Sequence, residues 1–216
     1  MYFSYGETEI AYLKKKDKRL GVAIDKIGLL QRPVHPDLFS AIVRQIVAQQ
    51  ISTKAQRTIW LRMQAELTEV TVETVCKTDS AALQQLGISF RKAEYIKSFA
   101  EKIKCGDLDL AALAAKSDQE VVAALSSLKG IGVWTAEMML LFCLQRPDVL
   151  SFGDLAIHRG LRMLYGHKVI DQARFARYRR RYSPYGSVAS LYLWAIAGGA
   201  IDGLVDRAAK KPVKNN

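Results

Sequence analysis

Apolar residues recur at helical spacing along most of this 216-residue chain, and the alternation that marks a half-buried strand is nearly absent. The pattern predicts an all-α fold. Residues 8–28 read as one or two helices interrupted at the basic stretch Lys14 to Arg19, and Pro33 and Pro36 bracket the loop that follows. From Asp37, a good N-cap, the residues Leu38, Ile42, Ile46 and Val47 share one helical face. Ser52-Thr53 opens another helix carrying Ala55, Ile59 and Met63, in which Trp60 reads as core. Further helices are expected near 80–86, 90–104, 118–127, 133–145, 155–164, 171–182 and 187–200, with Gly87, Gly106, Gly153, Gly166 and Gly186 in the joins. Only the stretch 207–216 reads as a flexible basic tail. Half of the residues are hydrophobic, enough to bury the core of one domain or of two small lobes.

Charge narrows the partner. Lysine and arginine number 32 against 21 acidic residues, a balance of +11 that suits a polyanion, because each neutralised phosphate releases condensed counterions. A soluble protein that is merely basic remains the alternative at this point. Cys76, Cys105 and Cys143 form no CxxC pair, so thiols assemble neither a zinc site nor an iron–sulfur cluster. A reducing, cytoplasmic setting is expected, nucleoid-associated if the source is bacterial. The N-terminal residues lack the pattern of a signal peptide. The longest apolar run, Met138 to Leu144, falls far short of the roughly 20 residues of a membrane span.

The stretch Leu128-Lys129-Gly130-Ile131-Gly132-Val133-Trp134-Thr135-Ala136 carries the most chemistry. Two glycines flank one apolar residue between two expected helices, so backbone can come close to a ligand. N–H groups entering the second helix point outward, which suits a phosphate oxygen. Ile131 would plug the groove between the helices, and a plain helix–helix turn is the competing reading. About twenty residues on comes Ser151-Phe152-Gly153-Asp154-Leu155-Ala156-Ile157-His158-Arg159. Asp154 is placed to cap the helix after it, and capping would itself hold a carboxylate still.

Hairpin, glycine-containing loop and aspartate together resemble the helix-hairpin-helix (HhH-GPD) DNA glycosylase superfamily, and Asp154 stands where the family's catalytic aspartate stands. Two further segments resemble the family. In Ile42-Val43-Arg44-Gln45-Ile46-Val47-Ala48-Gln49-Gln50-Ile51-Ser52, Gln50 matches the wedge that enters the DNA stack, with Gln49 beside it. In Phe90-Arg91-Lys92-Ala93-Glu94-Tyr95-Ile96, Arg91 and Lys92 match a basic helix start expected to contact DNA. The resemblance spans roughly residues 35 to 200. It implies a two-lobed helical form with its cleft between lobes: 31–145 with the hairpin, and 1–30 with 146–206 carrying Asp154. It also implies a form without the β-sheet domain of larger members.

Bifunctional members carry a nucleophilic lysine two residues after the second hairpin glycine, and this chain has Trp134 there. The substitution implies a monofunctional enzyme that activates water and has no lyase step. Tryptophan at this place resembles the 3-methyladenine DNA glycosylase II branch, whose substrates are electron-poor, often cationic bases. An aromatic face attracts a cation by about 0.5–2 kcal/mol. Trp194 matches a second wall of the base pocket, though Ala195 stands where some members have another aromatic; core packing is the alternative for both tryptophans. The resemblance further implies that Gly130, Ile131 and Gly132 grip a backbone phosphate, helped by Arg159, Arg162 and the stretch from Arg174 to Arg181. Carbonyls of Ser126, Leu128 and Ile131 would hold Na+ or K+ beside it, with no cofactor needed for the chemistry. The expected partner is double-stranded DNA with a damaged base, met as a monomer. A non-catalytic DNA-binding module and a glycosylase for other lesions stay open as alternatives.

Overall fold

The computed structural model describes residues 1–208, so most of the expected basic tail, 209–216, lies outside the described residues. Among these residues there are thirteen α-helices and one isolated antiparallel bridge, Tyr2 to Pro33, with no strand. In chain order the helices are α1 (Glu7–Lys16), α2 (Lys18–Ile27), α3 (Leu38–Ala48), α4 (Thr53–Leu67), α5 (Val72–Lys77), α6 (Ser80–Gln85) and α7 (Phe90–Lys104). They continue with α8 (Leu110–Ala114), α9 (Asp118–Ser126), α10 (Val133–Phe142), α11 (Leu155–Tyr165), α12 (Gln172–Tyr182) and α13 (Gly186–Ala197). The chain is all-α, as the periodicity requires.

Ten of the helices begin on an Asp, Ser or Thr whose side chain accepts an N–H of the first turn. Such a cap is worth about 0.5–2 kcal/mol over alanine. Asp17 ends α1 and caps α2, which breaks the helix inside the basic stretch. Helix α10 is one of the exceptions: it starts at Gly132 with no side-chain cap.

Two compact units divide the chain at Val34/His35 and at Leu144/Gln145. In the unit formed by residues 35–144, α3 buries seven residues from Leu38 to Val47, and Phe39 stacks on Phe99 of α7 at 5.2 Å. Helix α10 packs against α9 and α3 and buries Ala136, Met138, Met139, Leu140 and Leu141. Burial of a side chain of the Leu or Met kind is worth roughly 1.5–3 kcal/mol. Packing, not a cap, therefore holds α10 in place.

In the other unit α11 and α13 pack so closely that a Cβ at Gly160 would stand 2.3 Å from the Leu193 carbonyl oxygen. Polar anchors hold the remaining helices. Buried Asp17 accepts the Leu20 N–H on one oxygen, and on the other the Tyr165 hydroxyl at 2.7 Å and Arg181 Nη1 at 2.6 Å. Asp148 takes Arg179 Nη1 at 2.5 Å, the Ser183 hydroxyl at 2.7 Å and the Gly186 N–H at 3.0 Å, anchoring the start of α13. Arg162 makes a two-pronged pair with Asp206, both bonds 2.7 Å long. Burial pushes the Cys143 thiol up to about 12, so it stays an inert part of the core.

Candidate functional site

The hairpin lies between α9 and α10, where the Ile131 N–H closes the turn on the Leu128 carbonyl at 3.1 Å. Ile131 and Leu128 are both buried, so the apolar residue between the glycines does plug into the unit. The two glycines have different reasons to be there. Gly130 has φ +84°, and a Cβ on it would meet the Tyr95 ring at 2.3 Å, so backbone and neighbour both require glycine. Gly132 has φ −93°, which any residue adopts, and a Cβ on it would meet nothing within 4 Å. No demand of the fold accounts for Gly132. Its effect is to leave the first turn of α10 without an internal cap and open at its positive end, the arrangement that receives an oxyanion.

Gln49 holds this hairpin, and Lys92 holds the end of α3 next to Gln49. The Gln49 side chain donates to the Gly130 carbonyl at 2.6 Å. Lys92, at the start of α7, donates to the Val47 carbonyl at 2.9 Å and the Gln49 carbonyl at 2.6 Å, closing the end of α3. Burial lowers the Lys92 ammonium from its ordinary value. Lys92, expected at a phosphate, therefore commits two of its three N–H groups to the fold, and a phosphate contact would fall to the third. Gln50 comes next in the chain, exposed and left-handed at φ 57°. Arg91 is exposed, as is Trp134, with 42% of its surface accessible. Trp60, read from its spacing as core, is only half-buried and carries the Arg44 guanidinium 5.6 Å from its ring centroid.

In the other unit Asp154 caps α11. Its Oδ1 accepts the Ala156 N–H at 2.8 Å and the Ile157 N–H at 2.9 Å. Capping alone does not mark it, since aspartates also cap α2, α3, α6, α8 and α12. Burial does. Asp37, Asp79, Asp109 and Asp171 are exposed, whereas Asp154 is 6% exposed. Asp17 shares that burial, so burial narrows the capping aspartates to two. His158, one turn along α11, packs its ring against Phe152 at 4.9 Å and Phe175 at 5.6 Å. Burial lowers its pKa, against the opposing pull of a hydrogen bond to the Phe152 backbone, and its Nε2 is buried without a hydrogen-bond partner. That is an imidazole used as an aromatic packing group.

Trp194 on α13 is half-buried, and the Arg32 guanidinium sits 5.9 Å from its ring centroid. Arg32 went unremarked in the sequence, where nothing ties residue 32 to residue 194. Tyr95 lies one turn after Lys92 on α7, and Gln49, expected beside Gln50 at the DNA, is bonded to the Gly130 carbonyl. The expected phosphate-binding arginines divide. Arg159 is exposed, but Arg162 and Arg179 hold carboxylates, Arg181 holds Asp17, and Arg174 donates to the Val169 carbonyl. Much of that basic run is internal bracing.

Comparison with known proteins follows the same features. Residues 43–182 match the family model of the HhH-GPD superfamily base excision DNA repair proteins, a span that includes the hairpin and Asp154. Over 161 residues the chain is 30% identical to DNA-3-methyladenine glycosylase 1 of Schizosaccharomyces pombe, covering 72% of this chain and 71% of that protein. A crystal structure of a DNA-3-methyladenine glycosidase from Bacillus halodurans superposes with a TM-score of 0.82 at 38% identity, over 92% of this chain and 93% of that one. A Schizosaccharomyces pombe 3-methyladenine DNA glycosylase in complex with abasic DNA superposes with a TM-score of 0.75 at 26% identity, over 88% and 96% of the two chains.

Proposed function

The chain belongs to the HhH-GPD superfamily of base excision DNA repair proteins, and from that membership we propose that it is a monofunctional DNA glycosylase that removes alkylated bases of the 3-methyladenine and 7-methylguanine type. The observation that carries the reading is Asp154: a buried carboxylate, fixed by two N–H groups at the start of α11 in a chain whose relatives are named for this reaction.

A base inside the duplex is out of reach, so the damaged nucleotide must first leave the stack. The open first turn of α10 at Gly132, with Gly130 and Ile131 behind it, would hold a backbone phosphate of that nucleotide's strand. The carbonyls of Ser126, Leu128 and Ile131 would hold a monovalent cation there; the Leu128 oxygen, which accepts the Ile131 N–H, keeps a second lone pair for it. Such a cation would add charge against the phosphate. Gln50, exposed on its left-handed turn, would enter the space left by the flipped nucleotide, and Arg91 and Arg159 would meet further phosphates. Trp134 and Trp194 offer aromatic faces to the extruded base, and stacking of this kind is worth about 1–3 kcal/mol per base.

Asp154 would then stabilise the positive charge that grows on the sugar as the glycosidic bond lengthens, and orient the water that replaces the base. An alkylated, cationic base leaves as a neutral molecule, so it needs little protonation. Trp134 stands where a lysine would attack the sugar, so no Schiff base forms and the product is an abasic site. The test is base release from duplexes carrying 3-methyladenine, 7-methylguanine, hypoxanthine, 8-oxoguanine or uracil, with borohydride in parallel. Release of the two methylated bases without a trapped adduct is expected. A trapped covalent adduct, or release confined to 8-oxoguanine or uracil, would overturn the proposal.

A further inference from the structure

The unit that carries Asp154 also holds a cavity of about 300 Å³ lined by His167, Arg174, Arg177, Tyr178 and Arg181. The three arginines fall at i, i+3 and i+7 on α12, so the helix presents them along one face. Two are braced from outside the cavity: Arg174 Nη1 donates to the Val169 carbonyl and Arg181 Nη1 to Asp17, each at 2.6 Å. Each guanidinium has five donors, so bracing through one leaves others for a ligand and holds the plane in place. His167 Nε2 and the Tyr178 hydroxyl bond each other at 2.8 Å. Arg19 approaches from α2, its guanidinium 5.9 Å from the Tyr165 ring, which in turn stacks beside His167 at 6.0 Å.

Like charges gathered this closely repel, and the carboxylates nearby are already used. Asp17 is buried under Arg181 and Tyr165, and Asp171 caps α12 through the Arg174 N–H. We propose that this cavity binds a phosphoryl oxyanion, with Arg174, Arg177 and Arg181 as its donors. The planar forks of arginine match the paired oxygens of a phosphate. The repulsion shows on His167, whose imidazolium is disfavoured first by burial and then by Arg174, Arg19 and Arg177, with Asp171 pulling the other way. A bound phosphate would reverse that balance. The inference does not rest on base excision, because the phosphoryl group can belong to a DNA backbone or to a small phosphorylated ligand.

His167 reports the site directly, since the chain has only three histidines to resolve by NMR. The full chain is titrated in chloride and in inorganic phosphate at matched ionic strength, then with a short undamaged duplex. Phosphate should raise the His167 pKa by about 1 unit, the size expected from an opposite charge within hydrogen-bonding range. Arg177→Gln, at an exposed position, should remove most of the shift at unchanged thermal stability, and Arg177→Lys should restore part of it. A shift with both probes assigns the site to DNA backbone, and a shift with phosphate alone assigns it to a small ligand. No shift with either probe, or a full shift in Arg177→Gln, overturns the proposal.

Discussion

Lys92 and Arg91 are adjacent cations with different work. Lys92 closes α3 through two carbonyls, while Arg91 points to solvent. Bonds from a charged donor to otherwise unmet carbonyls are worth about 1–3 kcal/mol. Lys92→Met should therefore lower stability by about that much in urea titration, and Arg91→Ala should leave stability unchanged. On DNA the ranking reverses at the level of salt dependence. Arg91→Ala should reduce the slope of log affinity against log salt by about 0.9, the contribution of one phosphate, whereas Lys92→Met should leave the slope alone. Sequence could not separate the two, because both are basic residues at a helix start. Only the path of α3, which brings the Val47 and Gln49 carbonyls to the Lys92 ammonium, decides between them. Asp154 was more legible: its position after the loop and ahead of an apolar helical pattern already implied a cap. What the spacing did not carry was its burial, the property that separates it from Asp37, Asp79, Asp109 and Asp171.

Among elements, α10 is the informative exception. It starts at a glycine that the fold does not need, while ten neighbours supply their own cap. Gly132→Asp should cap α10 and complement its dipole, raising stability by a few tenths to about 1 kcal/mol in denaturant unfolding. The same carboxylate would occupy the place of the phosphate, so affinity for abasic duplex should fall at least about tenfold, or about 1.4 kcal/mol. Unchanged DNA binding would move the phosphate grip away from the hairpin. Long helices were legible because caps and apolar stripes agree, as in α3, α4 and α7. Helices α5 and α8, six and five residues long, gave no periodic signal to read. Helix α13 stops at Ala197, short of residue 200, where Gly198-Gly199 ends the run and Gly199 takes φ +90°.

For the molecule as a whole, a balance of +11 overstates the charge available to DNA. Arg162 and Arg179 are paired with carboxylates, and Lys92 and Lys97 donate to backbone carbonyls. Duplex affinity should fall linearly with salt on logarithmic axes, at about 0.9 per phosphate contacted. Arg162→Gln should leave that slope unchanged and cost stability, because it strands Asp206. A lower slope in Arg162→Gln would show that the bridge opens on DNA.

With Trp134 where bifunctional members have a nucleophilic lysine, the proposed excision depends on Asp154. Asparagine caps helices as well as aspartate, so Asp154→Asn keeps the start of α11 and removes only the charge. Measured under single turnover on a 3-methyladenine duplex, the variant should release base about a hundredfold more slowly or worse, while binding abasic duplex as tightly as the parent. A folded Asp154→Asn protein that excises at near the parental rate would contradict the account.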